Sequence, residues 1–184
     1  MIADEGPTKE RDPIDSAWSR TFAAGLESKQ CDASTVQAAL DRLLTMTGAR
    51  AAGIWRVEHD FLVQVVFRAV DEMPAEVREG FRAATRQLPL TRTDLGIVKA
   101  AVTGHPTPAV LPEKTGDVTI GDLGGSATWL ERFACRQSLA VPIYRNRELL
   151  GVIAISTPER FGEASRTWAF LIDLANQIGE RSAT

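Results

Sequence analysis

Apolar positions along this 184-residue chain change period repeatedly, and each change marks an element. The strongest pattern runs from Cys135 to Ser156. Leu139, Val141 and Ile143 alternate with Ser138, Ala140 and Pro142, and a nearly all-apolar run follows from Glu148 to Ser156. These read as two strands, Gln137–Tyr144 and Glu148–Ser156, joined by a turn at Arg145-Asn146-Arg147. The second strand has too few polar positions to leave a face in water, so the pair is predicted to lie inside a sheet covered on both sides. Gly151 fits a place where another backbone comes close.

Helical spacing frames this pair. Pro13, with Asp12 as cap, opens a helix carrying Ile14, Trp18, Phe22 and Leu26 on one stripe. Ser34 to Gln37 reads as a capping box for a second helix, with Val36, Leu40, Leu43 and Leu44 on its apolar face and Gly48 at its end. Residues 49–58 and 61–70 form a predicted hairpin around His59-Asp60, with Phe61, Val63, Val65, Phe67 and Ala69 on one face. Pro74 starts a helix bearing Val77, Phe81, Ala84 and Leu88. Thr93 caps another that bears Leu95, Val98 and Val102 and stops at Gly104, and a short strand follows from Pro106. Residues 112–126 are a long Gly-rich, acidic loop, of a length seldom kept without a use. Ser126 caps a short helix into the central pair. The last helix, about Ala164–Arg181, has Trp168, Leu171, Ala175 and Ile178 on one stripe, with Phe170 and Leu174 beside it. Residues 1–12 are polar and without periodicity and read as a disordered leader, leaving 13–184 as one domain.

Composition narrows the class. With 44% hydrophobic and 24% charged residues the chain is an ordinary soluble globular one, and no apolar run approaches the ~20 residues of a membrane span. A net charge of −3 argues against general nucleic-acid binding. Two cysteines, Cys31 and Cys135, are too few for a disulfide scaffold, and a cytoplasmic thiol state is expected. Neither His59 nor His105 has a second ligand at metal-binding spacing, so no metal site is expected.

The run S-L-A-V-P-I, a polar turn and L-L-G-V-I-A-I resembles the C-terminal strand pair of a GAF domain. The T-G-A-R and I-W-R-V segments, and G-I-V-K-A-A-V-T-G-H-P in the middle, extend the likeness from about Ser34 to Ile178. The resemblance implies an α/β fold of the α+β type, related to PAS domains: a central antiparallel sheet of five to six strands, terminal helices on one face, middle helices and the long loop over the other. It further implies a bacterial-type regulatory module that binds a small molecule and signals through its terminal helices to an effector domain or partner protein. An alternative is a dimerisation or interaction module without ligand.

The expected site lies on the enclosed face. Trp55, Phe67, Trp129, Phe133 and Tyr144 are candidate wall residues, each with plain core packing as its alternative. Arg92, Asp94, Ser138 and His105 are candidate polar contacts. Ile14, Trp18, Phe22, Leu26, Phe170 and Leu174 are candidate homodimer residues. Cys135 lies where a GAF-related family that reduces free methionine sulfoxide carries a cysteine; with only Cys31 as a further thiol, Cys135 is read as a ligand contact or buried core residue and the chain as not an enzyme, with a Cys135-dependent reductase of free methionine sulfoxide as the third alternative. Haem is disfavoured by the lack of histidine after His105, and a bilin by the lack of Asp-Ile-Pro and Cys-His runs. Cyclic nucleotides are disfavoured because Ser156-Thr157 stand where those binders carry Asn-Lys, although Phe161 has a counterpart. The ligand stays unidentified.

Overall fold

The hairpin at 137–157 is the centre around which the chain closes. In the computed structural model, residues 13–27, 32–113 and 122–182 are described, with side chains from residue 17 onward. The expected leader, Cys31, the Ile14 side chain and most of the long loop lie outside the described residues. The elements are α1 (Pro13–Glu27), α2 (Ala33–Thr47), β1 (Ala51–Glu58), β2 (Phe61–Ala69), α3 (Ala75–Ala84), β3 (Gln87–Pro89), α4 (Gly96–Thr103), β4 (Thr107–Val110), α5 (Gly124–Phe133), β5 (Gln137–Arg145), β6 (Glu148–Thr157) and α6 (Arg166–Arg181). The six strands form one antiparallel sheet in the order β3-β2-β1-β6-β5-β4. Both edges are three- or four-residue strands containing proline, which limits pairing with another chain.

The sheet separates two cores. On one face, α1, α2 and α6 pack against Ile54, Leu139, Val141, Ile143, Ile153 and Ile155. On the other, α3, α4 and α5 lie over Ala51, Trp55, Phe67, Ala140, Val152 and Ala154. The layer order and the side taken by each terminal helix match the expectation. At one point α6 approaches β5 so closely that a Cβ on Gly179 would run into the Tyr144 carbonyl oxygen. Gly151 likewise faces the carbonyl of Trp55, with Leu26 above it. The β5–β6 turn places Asn146 (φ 48°) and Arg147 (φ 73°) in the left-handed region that tight hairpins demand.

Several local expectations give way. Strand β2 does not keep one alternation: Val66 pairs with Ile54 and Gln64 with Trp55, leaving Val65 as an extra residue. That bulge turns Val65 and Val66 toward the helical core, while Leu62, Phe67 and Ala69 face the other one. The α2 cap is Asp32, not Ser34, because its carboxylate accepts from the Ser34 N–H at 3.0 Å and from both neighbouring hydroxyls. These bonds hold the Asp32 carboxyl below its usual range, led by the Ser34 hydroxyl. Helix α3 ends at Ala84, and Leu88 belongs to the unexpected edge strand β3.

The proposed dimer stripe is already occupied. Trp18, Phe22, Leu26 and Leu174 are buried in the chain's own core, and half-buried Phe170 meets Trp18 edge to face at 6.1 Å. Helix α1 therefore spends its apolar side on α2, α6 and the sheet.

Candidate functional site

The face under α3, α4 and α5 carries a cavity because its strands present small side chains there. Strand register aligns two rows across three strands. Ala51 pairs with Ser156, which pairs with Ser138; Gly53 pairs with Ala154, which pairs with Ala140. All six line the cavity. The space between its walls is ≈ 490 Å³, including the part open to solvent. A space of that size suits a small molecule.

The walls are aromatic and aliphatic. Phe81 of α3 is their hub, with ring centroids 4.7 Å from Phe67, 5.0 Å from Phe133, 5.1 Å from Trp129 and 6.3 Å from Trp55. Edge-to-face and tilted geometries at these distances are the favourable ones for π systems. Trp55 folds its ring back over Gly53, where a Cβ would collide with it, and donates its Nε1–H to the Thr85 carbonyl at 3.0 Å. Gln64 reaches the Thr85 hydroxyl at 2.7 Å. The end of α3 is thus tied to β1 and β2 by buried polar contacts, and a satisfied indole N–H closes that end of the cavity. At the rim, half-buried Trp129 faces Gly80 on one side and stacks under Arg132 at 4.8 Å on another.

Polar groups at the site are few. Ser126 accepts from the Gly96 N–H at 2.8 Å, so a residue thirty positions away serves as the cap that α4 lacks in its own sequence. This replaces the expected roles of Thr93 as the α4 cap and Ser126 as the α5 cap; α5 starts earlier, at Gly124. Ser138 and Ser156, neighbours across β5 and β6, are half-buried on the floor, and no hydrogen bond joins either hydroxyl to another described residue. No ionisable side chain is among the described residues that line the cavity.

Trp55, Phe67, Trp129, Phe133 and Ser138 are brought together around this space. The other candidates are not. Arg92 and Asp94 bind each other through two hydrogen bonds of 2.8 and 3.0 Å, and the Asp94 carboxylate sits against Gly125 at the start of α5. The Arg92 guanidinium holds the Asp94 carboxyl below its usual range against a smaller opposing effect of burial. His105 is exposed at the end of α4, with Nδ1 2.7 Å from the Thr103 carbonyl. Tyr144 is also exposed, with its hydroxyl against Gly104. A register shift between Ile143 and Tyr144 interrupts the strand alternation there. Cys135 is buried beside α5 but does not line the cavity. Burial pushes its thiol up to about 12, a rise that nearby Arg50 opposes only in part, so at neutral pH it is a protonated thiol and not a ready nucleophile. Among the described residues no three His, Cys, Asp or Glu side chains group as metal ligands, and no helix is long and apolar enough to cross a membrane.

Sequence reasoning placed Phe81 only on a helix stripe and left Ser126, Ser156 and the small floor residues out of the site. The floor had a signal: Ser138/Ala140, Ala154/Ser156 and Ala51/Gly53 are small at every second position of three strands. Ser126 had none, because its partner is distant in sequence.

Comparison with known proteins agrees with this architecture. No curated protein matches the chain. Among solved structures, it is similar to the phycocyanobilin-bound GAF domain from a cyanobacterial phytochrome (12% identity, 92% of this chain and 93% of that one, TM-score 0.59). It is also similar to the GAF domain of a phosphoenolpyruvate-protein phosphotransferase from Coxiella burnetii (16% identity, 91% of each chain, TM-score 0.57). A third is the free methionine-R-sulfoxide reductase from Neisseria meningitidis in complex with its substrate (14% identity, 99% of this chain and 95% of that one, TM-score 0.57). At such identities the likeness is one of fold. It nevertheless overturns the expectation that the chain is not an enzyme, because the same fold carries a reductase and so does not separate binding modules from catalysts. The model of the GAF domain matches residues 33–181, most of the chain, and the protein belongs to the GAF domain family.

Proposed function

We propose that this GAF domain is a sensory module that takes a small molecule into the cavity above β1, β6 and β5 and passes a conformational bias to α1 and α6. The observation that carries the reading is the pair of serine hydroxyls without described protein partners on a small-residue floor walled by aromatics. Partly solvated hydroxyls without a protein partner are free to exchange water for the donor and acceptor groups of a ligand.

Transmission has a short route. Along β5 and β6 successive residues point to opposite faces, so Ser138 and Ala140 face the cavity while Leu139 and Val141 face the terminal-helix core. Farther along β5, the Tyr144 carbonyl meets α6 at Gly179 with no side chain between them. A ligand that favours one placement of β5 biases α6 to the extent that the two move together.

Native mass spectrometry of freshly purified protein, with a denatured control, tests the reading. The expected result is an extra mass lost on denaturation and absent from a folded Ser138→Val variant, whose larger side chain occupies the floor. An extra mass that survives this substitution places the ligand elsewhere and sinks the proposal. So does a bare protein whose floor resonances move with none of the small aromatic probes named below.

A further inference from the structure

The cavity's lining says which chemical class it accepts, an inference that rests on the ligand-binding reading just given. We infer that the site takes an uncharged, flat, single-ring molecule with one hydrogen-bonding substituent, its ring on the small-residue floor and its substituent on Ser138 and Ser156.

Three observations carry this. The first is charge. Among the described residues, none that lines the cavity is ionisable, and the candidate pair Arg92 and Asp94 is mutually neutralised through two hydrogen bonds. An ion entering the cavity gives up part of its hydration and meets no counter-charge among the described lining residues, which makes its burial costly. The second is shape. The floor is a sheet surface whose two rows carry nothing larger than a serine, and the space between floor and walls, ≈ 490 Å³ with its solvent-open part, admits a flat ring. Phe67, Phe81 and Phe133 pack on one another at 4.7–6.2 Å and form an aromatic wall against which a further ring can lie by edge or face. The third is the position of the hydroxyls. Ser138 and Ser156 are directly paired across β5 and β6. A serine hydroxyl both donates and accepts, so the two together match a substituent that carries both N–H donors and a carbonyl acceptor, such as a carboxamide.

Benzamide, benzoate and benzylammonium have similar size and differ in charge, and toluene lacks the polar group. Titrating each into the full chain, with backbone amide NMR shifts at Ser138, Ser156 and Ala154 as the readout, tests the inference. Saturable shifts are expected with benzamide, at a Kd at least about tenfold below those of benzoate and benzylammonium. The double variant Ser138→Ala, Ser156→Ala removes only two oxygens. It is expected to weaken benzamide by about fivefold or more while leaving toluene within about twofold, in line with the loss of one or two hydrogen bonds. If benzoate or benzylammonium binds the floor as tightly as benzamide, the neutral-ligand inference fails and the pocket reading stands. If benzamide is indifferent to the double variant, the assignment of the hydroxyls fails. If no probe moves the floor resonances up to its solubility limit, both the inference and the pocket reading fall. A thermal melt of the variant establishes that it is folded before its affinities are compared.

Discussion

The two faces of one sheet differ in a way that the strands themselves encode. Toward α1, α2 and α6, the central strands present Ile54, Leu139, Val141, Ile143, Ile153 and Ile155, each buried to within a few per cent of full enclosure. Toward α3, α4 and α5, the same strands present Ala51, Gly53, Ser138, Ala140, Ala154 and Ser156. Branched side chains on one face fill the space to the helices; small ones on the other leave a cavity between floor and aromatic walls. Both faces carry a buried core, and on the second the small residues leave part of the space between floor and walls unfilled. The contrast explains why both faces can be apolar although the proposed site lies on one of them.

Substitutions that treat the two faces alike should expose the difference. The largest effect is expected for Ile153→Ala, which empties a fully buried position of the helical core: a loss of about 2–5 kcal/mol in urea unfolding. A loss under about 1 kcal/mol would mean that this face is as loosely packed as the other. Next is Gly179→Ala. Its new Cβ meets the backbone carbonyl of Tyr144, which cannot rotate away, so α6 must shift. The expected cost is about 1–3 kcal/mol, with faster hydrogen exchange across α6 and β5; unchanged exchange there would contradict the close contact.

On the cavity side the effects shrink. Ser126→Ala removes the α4 cap supplied from α5 and should cost about 1 kcal/mol. Ser126→Thr, which keeps the oxygen, should recover most of it, and an equal loss in both variants would point to packing instead. Ser138→Val adds volume where space already exists, so stability should change by no more than about 0.5 kcal/mol while ligand uptake is lost. A cost like that of an overpacked core would show that the floor is already filled.

The smallest effect concerns Cys135. Its folded pKa, about 12, lies above the ordinary 9.0, so its contribution to stability is complete below pH 9 and lost as the pH rises from 9 toward 12. Between pH 5 and 8 this thiol should not alter stability. In a Cys31→Ser background, iodoacetamide at pH 8 should modify folded Cys135 at least about tenfold more slowly than the unfolded chain. Equal rates would show the thiol to be accessible.

Amino-acid order alone determined most of the architecture. Alternation marked β5, continuous apolar runs marked β1 and β6, and period-3.6 stripes marked the helices, because the faces an element buries impose their repeat on its sequence. It also marked Trp55, Phe67, Trp129 and Phe133 as residues of one enclosed face. What it left undecided depended on partners distant along the chain. The β2 bulge exists only in register with Ile54 and Trp55, and without it Val65 belongs on the wrong side. Trp18 and Phe22 look free to meet a second chain until α6 is laid beside α1. Ser126 reads as the cap of its own helix and serves another. Above all, alanines and serines in alternation state only that side chains are small. Whether that smallness becomes a tight contact, as at Gly179, or an open floor, as at Ser138 and Ser156, is decided by how near the opposing element stands, and only the packed tertiary structure sets that distance.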